Sequence, residues 1–496
     1  MKTSAFARLV LAESIHAVRH RWLAIAFGVL LLATVGSMWQ GRQDLRAQAS
    51  QYDSARHARE QAQVRANLVA LGRGVEPGLR ILRPPSPGVI VIPGEDWHTP
   101  AAWELQPAGA DALAPYPSAL RRFHLATAWN LAGFVRIWAA ALALLLGLGS
   151  GLSDRTPGWW SAIAMWPDAR AWLRARLVAG FAVMIAGVAL WWTVAAITLW
   201  TFADGQTPSR DLWLAALPAL LYLVGWWALG LASAWMAGSA VRAALCAAGL
   251  WIAGAVFAPA LPVFVADTVI SVPSLESFQE EREEAYADAL RTAELEVGRR
   301  LGQLLPDPSA TGPDLESAVM SAFPQVEAQW RTGFADARAV VTASDRARHD
   351  LQARQKRWAT AMGLLLPGAS LDAVLAELAG TGASMREAWH DAAARFHLAL
   401  QPTLFDDRPT ANLRVIMGTR AALHGIPRHR PPAIGSLPGF LPPERSGTWR
   451  SGQTLSLVAG LFVWAGLTSS LAWRTGRAAL RDSARHCSPT ERHSIG

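Results

Sequence analysis

Histidine and cysteine are the side chains of this sequence best suited to binding a metal, and their spacing forms no recognisable site. His390 and His397 lie two turns apart on a predicted helix, and Asp391 points to another face of that helix. Zinc sites place three or four ligands at short, characteristic spacings. The other candidates lie in a Pro/Arg-rich loop and in the C-terminal tail: His424, His429, His486, Cys487 and His493. We therefore interpret the histidines as solvated or capping residues and predict no metal site.

Motifs for phosphate binding and nucleophilic catalysis are equally hard to find. A P-loop needs the lysine of G-x-x-x-x-G-K-[ST], and the lysines of the chain, Lys2 and Lys356, have no such context. Neither G-x-S-x-G nor H-E-x-x-H occurs in the sequence. The sequence therefore predicts a chain that is not an enzyme, holds no cofactor and cannot use ATP by itself.

Apolar runs are the elements that organise the chain. It has 496 residues, of which 52% are hydrophobic and 17% are charged. A helix needs about 20 apolar residues to cross a bilayer, where the backbone must satisfy its own hydrogen bonds. Runs of about this length cover residues 22–39, 131–152, 177–200, 212–235, 243–265 and 455–473. We predict an all-α membrane protein with six transmembrane helices, of which the second to fifth form a block at 131–266.

Tryptophans and arginines at the ends of the runs support this prediction. The tryptophans near the ends resemble an aromatic belt: Trp22, Trp39, Trp159, Trp160, Trp200, Trp213, Trp235 and Trp473. The arginines flank alternate ends of the six helices: Arg19, Arg21, Arg155, Arg170, Arg174, Arg176, Arg242, Arg474, Arg477, Arg481 and Arg485. The positive-inside rule then places both termini, including the basic tail 474–496, in the cytoplasm. It also explains the formal net charge of +8 without nucleic-acid binding.

Residues 1–21 precede the first span and carry Phe6, Leu9 and Val10 on one face of a basic helix. This pattern is typical of a helix in the membrane interface, and the charged flank of a signal anchor explains it equally well. A cleaved signal peptide is the weaker alternative, since the apolar stretch is long and no clear cleavage site follows.

Ionisable residues are almost absent from the predicted spans. Arg136 is the exception, and it lies near the outer end of its helix, where its side chain can snorkel to the interface. Because ion-coupled transporters usually carry ionisable residues inside their spans, we do not predict a proton or sodium relay.

Two regions, 40–128 and 267–452, are predicted to be extracytoplasmic. The smaller is helical at 43–71 and then rich in proline and glycine, with a short strand at 88–93. The larger is mostly helical and long enough to bury a core of its own. No cysteine falls in either region, since Cys246 lies in a span and Cys487 in the tail, so packing rather than disulfides must hold them.

Helix signals divide the larger region. We predict helices from 277 to about 305 and from about 325 to 366, and two more on either side of a tight break at residues 380–382. The start signals are the capping box of Ser277 and Glu280, the N-cap Ser370 and the capping box of Ser384 and Glu387, and the stop signal is Gly380. Physics alone favours a structural role for the break.

The link 154–176, between the second and third spans, combines arginines with a short apolar helix that contains Trp159, Trp160 and Trp166. Such a helix either lies among the lipid headgroups or docks into a partner protein, and physics alone favours the headgroups.

This link resembles a segment of type-two ABC exporter permeases that reads roughly E-R-E-x-G-T-L, then a leucine-rich turn, then P-x-x-R. The matching residues are Asp154, Arg155, Gly158, Pro167 and Arg170. Thr156 and Trp159 depart from the pattern, where the family has a second acid and a threonine. In the family this segment is the coupling helix that sits in the cleft of the ATPase subunit. The helix at 1–21, with Glu13, resembles the family's interfacial elbow helix.

The region between spans five and six resembles one bacterial subfamily of these permeases. There, an L-P pair, spaced leucines and L-A-G-T precede an aromatic helix. The matching residues are Leu366, Pro367, Leu371, Leu375, Leu378, Ala379, Gly380, Thr381, Gly382 and His390. The subfamily also has a long outside region between spans one and two that ends near N-x-x-x-G-x-F-D, which Asn130, Gly133 and Phe134 follow in part.

The resemblance implies the permease subunit of an ABC exporter in the bacterial inner membrane. Its implied partners are a cytoplasmic ATPase that uses ATP and magnesium, a second permease, membrane lipid and an extracytoplasmic protein. The residues expected to couple to the ATPase are Asp154, Arg155, Gly158, Trp159, Trp160, Trp166, Pro167, Arg170 and Glu13. The alternative is a membrane-anchored scaffold whose outer domain recruits partners without transport, and a secondary transporter is a weaker third option.

Overall fold

The computed structural model of the chain describes residues 3–18, 21–69, 79–92, 102–106, 109–112, 130–154, 159–166, 168–202, 210–237, 239–304, 313–404, 440–443 and 452–486. Most of these residues are helical. The helices are α1 (Thr3–Val18), α2 (Arg21–Val69), α3 (Leu131–Ser153), α4 (Trp159–Ala164), α5 (Ala169–Phe202), α6 (Ala216–Met236), α7 (Ala240–Trp251), α8 (Leu261–Val269), α9 (Leu275–Leu304), α10 (Pro313–Leu365), α11 (Pro367–Ala379), α12 (Ala383–Leu404) and α13 (Gly452–His486).

Six helical spans are long and apolar enough to cross a membrane, which confirms the predicted number: α2, α3, α5, α6, the stretch from α7 to Ala260, and α13. The first of them extends well beyond a bilayer. At about 1.5 Å per residue, the 49 residues of α2 reach roughly 74 Å, against a hydrocarbon thickness of about 30 Å. The polar helix predicted at 43–71 is therefore the continuation of the first span.

Small residues bring α3 and α6 into close contact. A Cβ atom added to Gly147 of α3 would lie 2.0 Å from the carbonyl oxygen of Trp227, and one added to Gly230 of α6 would lie 2.1 Å from that of Leu144. One turn further along α3, a Cβ on Gly151 would lie 2.5 Å from Ala234. Such small-residue faces let two helix backbones approach in lipid, where packing drives association.

Two π-helical turns lie in the spans, one inside α3 at Val135–Ala139 and one at Ile252–Phe257, which continues the span that α7 begins. Side chains of neighbouring spans bond to carbonyl groups in the first of these turns. The Tyr222 hydroxyl donates to the Arg136 carbonyl at 2.9 Å, and the Trp251 indole donates to the Ile137 carbonyl at 2.9 Å. The turn in α3 is thereby tied to both α6 and α7.

A small antiparallel sheet follows α2, in a region where the sequence predicted a single short strand. Its strands are β1 (Leu79–Leu82), β2 (Ala102–Gln106) and β3 (Gly109–Ala112), in the order β1-β2-β3. The predicted strand at 88–93 is wrong, because Pro87–Ile90 form a single 3-10 turn. Proline at the first position of this turn has the fixed backbone angle that a helical turn needs and lacks the N–H that a strand ladder needs.

The larger domain is built on an antiparallel hairpin of α9 and α10. Phe278 near the start of α9 lies under the Arg348 guanidinium, and Val297 near its end packs with Val326 and Trp330. Between them, a Cβ on Gly333 would lie 2.4 Å from Ala293, so the two helices are in close contact there. The second helix begins at Pro313, about a dozen residues earlier than predicted, and contains Pro324.

Several predicted helix caps are wrong by a few residues. The Ser274 hydroxyl, not Ser277, caps α9, since it accepts the Ser277 N–H at 3.1 Å. Ser370 lies inside α11, whose first residue is Pro367, and its hydroxyl donates to the Gly363 carbonyl at 2.6 Å. Gly380 ends α11 in the left-handed conformation with φ of 72°, as predicted.

Candidate functional site

One end of the helix bundle, which we call the elbow end, holds a buried charged cluster of Glu13, Asp154 and Arg176. Arg176, in the second turn of α5, donates to the Glu13 carboxylate of α1 and to Asp154 Oδ1 at 3.0 Å. It also donates to the Ser150 carbonyl of α3 at 3.0 Å. Arg176 and Asp154 are 5% and 3% exposed. One guanidinium thus connects α1, α3 and α5.

Two indole groups complete this cluster. Trp172 donates to Glu13 Oε1 at 3.2 Å, and Trp235, at the end of α6, donates to Asp154 Oδ2 at 3.3 Å. Asp154 lies just beyond α3, and burial raises its pKa while the neighbouring Arg176 lowers it. Buried charges are tolerated where they are paired and hydrogen-bonded, and each charge of this cluster is paired, with Arg176 Nε left without a hydrogen-bond partner among the described residues. Its effect is to fix the ends of four helices relative to one another.

The predicted coupling residues divide into an inward and an outward set. Glu13 and Asp154 point inward into the cluster, so their carboxylates hold helices together. Trp159 and Trp160 lie in α4, which confirms the predicted short helix. Trp166 is 53% exposed, and Arg170 is also exposed. Arg155, Gly158 and Pro167 lie outside the described residues.

At the opposite end, which we call the domain end, Arg136 of α3 pairs with Asp372 of α11. The sequence predicted that the Arg136 side chain snorkels to the interface, but it bonds instead to this carboxylate, and its side chain is 12% exposed. Burial raises the pKa of Asp372, and the adjacent guanidinium lowers it. The signal that could have predicted this pair is Asp372 itself, the one charged residue in the first half of α11.

The predicted break between α11 and α12 is anchored to the segment at 87–92, which lies between the first and second spans. The Thr381 hydroxyl is fully buried and donates to the Ile92 carbonyl at 3.0 Å. A Cβ on Gly88 would lie 1.9 Å from the Ala379 carbonyl oxygen, and one on Gly41 of α2 would lie 2.8 Å from the Ile90 backbone. The turn at 87–90 is therefore wedged between α2 and the end of α11.

Glu377 closes the same break from the other side. It is buried, accepts the Ser384 N–H at 3.1 Å and pairs with the Ser384 hydroxyl, and it lies against Gly382. It therefore caps α12, whereas Glu387, the acid predicted for this role, pairs with Lys356 at 2.8 Å. Hydrogen bonds on both sides therefore hold the break in place.

His390 of α12 lies against His349 of α10, with ring centroids 6.2 Å apart. Burial, with Arg386 and His349 nearby, lowers the pKa of His390 to about 4. Within the described ranges, no three His, Cys, Asp or Glu side chains come together in a way that could hold a metal.

We expect His390 to make stability depend on pH. Its unfolded pKa is about 6.5, above the folded value, so its contribution is complete above pH 6.5 and is lost as the pH falls toward 4, by up to about 3 kcal/mol. The melting temperature of the full chain in detergent should therefore fall less between pH 7 and pH 4.5 in His390→Gln than in the wild type. Burial raises the pKa of Asp345, but this residue titrates in both proteins, so its effect on the difference between them cancels. The exposed-site variant His57→Gln is the control, and parallel profiles for wild type and His390→Gln would contradict this expectation.

Together these features define a multi-pass α-helical membrane protein with a helical domain between its fifth and sixth spans. Residues 313–417 match a family described as a domain of unknown function (DUF3526), and this stretch contains α10, α11 and α12. No curated protein and no solved structure matches the chain. The matched stretch includes the motif residues from Pro367 to His390.

Proposed function

We propose that the chain is the permease subunit of an ATP-driven ABC exporter, and that a separate ATPase docks at the elbow end of its bundle. The observation that carries this proposal is the buried cluster of Glu13, Asp154 and Arg176 directly behind the exposed face of the link. A subunit that receives force from a partner needs a surface for docking and a rigid connection from that surface to several spans. This end of the molecule has both.

The docking face is formed by the two residues that follow α4 and by the start of α5. Met165 and Trp166 are 69% and 53% exposed, and Arg170 is exposed beside them. Exposed aromatic and arginine side chains are typical anchors of protein interfaces. In this proposal they enter the cleft of the ATPase, which supplies ATP and magnesium.

The cluster transmits the movement of the link into the membrane. Trp172 and Arg176 lie one turn apart on α5 and bond to Glu13 and Asp154. A shift of the link therefore displaces the ends of α1, α3 and α5 together, and α6 follows through its bond from Trp235. Glu13 and Asp154 act here as positioning residues inside the permease.

The orientation in this proposal places the elbow end in the cytoplasm of a bacterium. Support comes from the arginines at that end: Arg170, Arg174, Arg242, Arg474, Arg477 and Arg481. The hairpin of α9 and α10, with α11 and α12, then faces the outside, where an extracytoplasmic partner would meet it. A second permease, identical or paralogous, would complete the pathway.

Affinity purification of the tagged full chain in mild detergent, with quantitative mass spectrometry, tests this function. A Walker-type ATPase should co-purify, and Trp166→Ala with Arg170→Glu should reduce its recovery about tenfold or more, as expected for loss of interface anchors. The matched control is Arg242→Glu, which makes the same charge change at an exposed site in the first turn of α7. If the wild type and the variant with Trp166→Ala and Arg170→Glu recover the same amount of ATPase, the docking face is contradicted. Recovery of outer proteins without any ATPase would favour the scaffold.

A further inference from the structure

Helix α11 is too short to cross a membrane, yet it is apolar and largely buried. Its 13 residues reach about 20 Å, against a hydrocarbon thickness of about 30 Å. It packs against α13 and α6, against the turn Arg210–Ala215 that precedes α6, and against residues 258–260 that follow α7. The helix therefore lies against the domain end of the spans and contacts several of them at once.

Both ends of α11 are joints in the backbone. Leu366, before its first residue, is extended with φ of −117° and ψ of 99°, and Gly380 after its last residue has φ of 72°. Helical hydrogen bonding is interrupted at each of these points. Hinges are typically a few residues at the ends of elements that absorb changes in φ and ψ. The geometry thus isolates α11 as one rigid segment between two joints.

The contact between Arg136 and Asp372 is polar within a largely apolar interface. Asp372 Oδ1 and Arg136 Nε are buried, and neither has a hydrogen-bond partner among the described residues. An ion pair that leaves part of its bonding capacity unused stabilises a packed interface less than well-fitted apolar side chains would. Interfaces that switch between alternative states repack such salt bridges, so this pair suits a contact that forms in one state and not in the other.

Arg136 is also fixed to the spans through its own backbone. It lies in the π-helical turn of α3, and its carbonyl accepts the Tyr222 hydroxyl of α6 at 2.9 Å. On the α11 side, a Cβ on Gly368 would lie 2.8 Å from Pro259 and 3.6 Å from Arg136 Cδ. A relative movement of α3 and α6 would therefore change the position of the guanidinium beneath α11.

From this arrangement we propose that α11 is a movable plug at the domain end of the bundle, and that the Arg136–Asp372 pair is the latch that holds it in place. When the spans move, the latch opens and α11 tilts about Leu366 and Gly380, which opens this end to an outgoing substrate. The inference rests on the proposed exporter function for the cause of the movement. The latch itself is a property of this chain and can be tested without the ATPase.

Cysteine accessibility in the full-length protein tests the latch. In a background with Cys246→Ser and Cys487→Ser, the reporter is Ala376→Cys, at a site on α11 that is 7% exposed. Labelling by a membrane-impermeant maleimide should be slow, and Asp372→Asn should accelerate it about tenfold or more, since it leaves the buried arginine without its counter-charge. The charge-swapped Arg136→Asp with Asp372→Arg should restore most of the protection. Asp391→Asn, at an exposed acid on α12, is the matched control.

The outcomes separate the plug from the proposed function. Size-exclusion chromatography first selects variants that remain folded, and Arg136→Lys, which keeps the charge but shortens the reach, serves if Asp372→Asn does not fold. A labelling rate that neither latch variant changes would overturn the plug. Faster labelling in the latch variants, with no response to ATP in the presence of the co-purified ATPase, would support the latch and contradict ATP-driven export. Faster labelling in the latch variants, together with faster labelling when ATP is added to the complex with the ATPase, supports both the plug and the exporter.

Discussion

Replacing Arg176 with methionine is expected to unfold the elbow end of the bundle. The substitution leaves the carboxylates of Glu13 and Asp154 buried without the guanidinium that neutralises them. Removing one partner of a buried ion pair costs about 3–5 kcal/mol, a large part of the 5–15 kcal/mol that stabilises a typical domain. We expect the variant to accumulate poorly in the membrane and to lose its monodisperse peak in detergent at a temperature well below that of the wild type.

The matched control for this experiment is Arg174→Met on the same helix. Arg174 is exposed and lies over the Trp473 ring at 6.0 Å, so its loss should cost less than about 1 kcal/mol. Removal of all three charges, with Glu13→Gln, Asp154→Asn and Arg176→Met, should recover part of the loss, because no buried charge then remains unpaired. Equal melting temperatures for Arg176→Met and Arg174→Met would show that the cluster does not stabilise the packing of these helices.

The spans could be predicted because their signal is local. Length and apolar composition are enough to identify a helix that must satisfy its own backbone in lipid, and all six spans are present. Gly380 was predictable for a similar reason, since the left-handed conformation at the end of α11 favours glycine. The predicted caps at Ser277 and Ser370 were misplaced because both helices begin earlier. Ser274 caps α9, and Pro367 is the first residue of α11.

The contacts between distant segments could not be predicted from one sequence. Arg176 was interpreted as one of several topology-setting arginines, and nothing in its local sequence distinguishes it from the exposed Arg174. Its role depends on Glu13 and Asp154, which are 163 and 22 residues away. The same applies to residues 87–90. Their local sequence predicted a strand, whereas they form a turn that packs between α2 and the end of α11.

These long-range contacts suggest how the two ends of the molecule communicate. α3 carries Asp154 just past one end and Arg136 near the other, and α6 meets it at both ends through Trp235 and Tyr222. Between those points the two helices are in backbone contact. We expect a pair packed in this way to move as one body, so that the proposed displacement at the elbow cluster reaches the proposed latch.

For this reason we expect the second large effect at Gly147, in the middle of the α3–α6 contact. Gly147→Leu should separate the two helices, because even a Cβ atom there would lie 2.0 Å from the Trp227 carbonyl oxygen, and backbone cannot move aside as a flexible side chain can. Overpacking of this kind costs about 1–3 kcal/mol and occasionally more, and here both helices are constrained at each end. Thermal unfolding in detergent, followed by the fraction that remains monodisperse, should show a graded loss from Gly147→Ala to Gly147→Leu.

The chain offers an exact counterpart for this series at Gly249 of α7, where an added Cβ meets nothing within 4 Å. Gly249→Ala and Gly249→Leu make the same changes in another span and should leave the melting temperature nearly unchanged or raise it, since glycine is a poor helix former. The difference between the two series separates the effect of close packing on the melting temperature from the effects of helix propensity and hydrophobicity. If both glycines tolerate leucine equally, α3 and α6 do not pack as closely as the structure has them. A rigid α3–α6 pair would then no longer explain how the elbow cluster and the latch are connected.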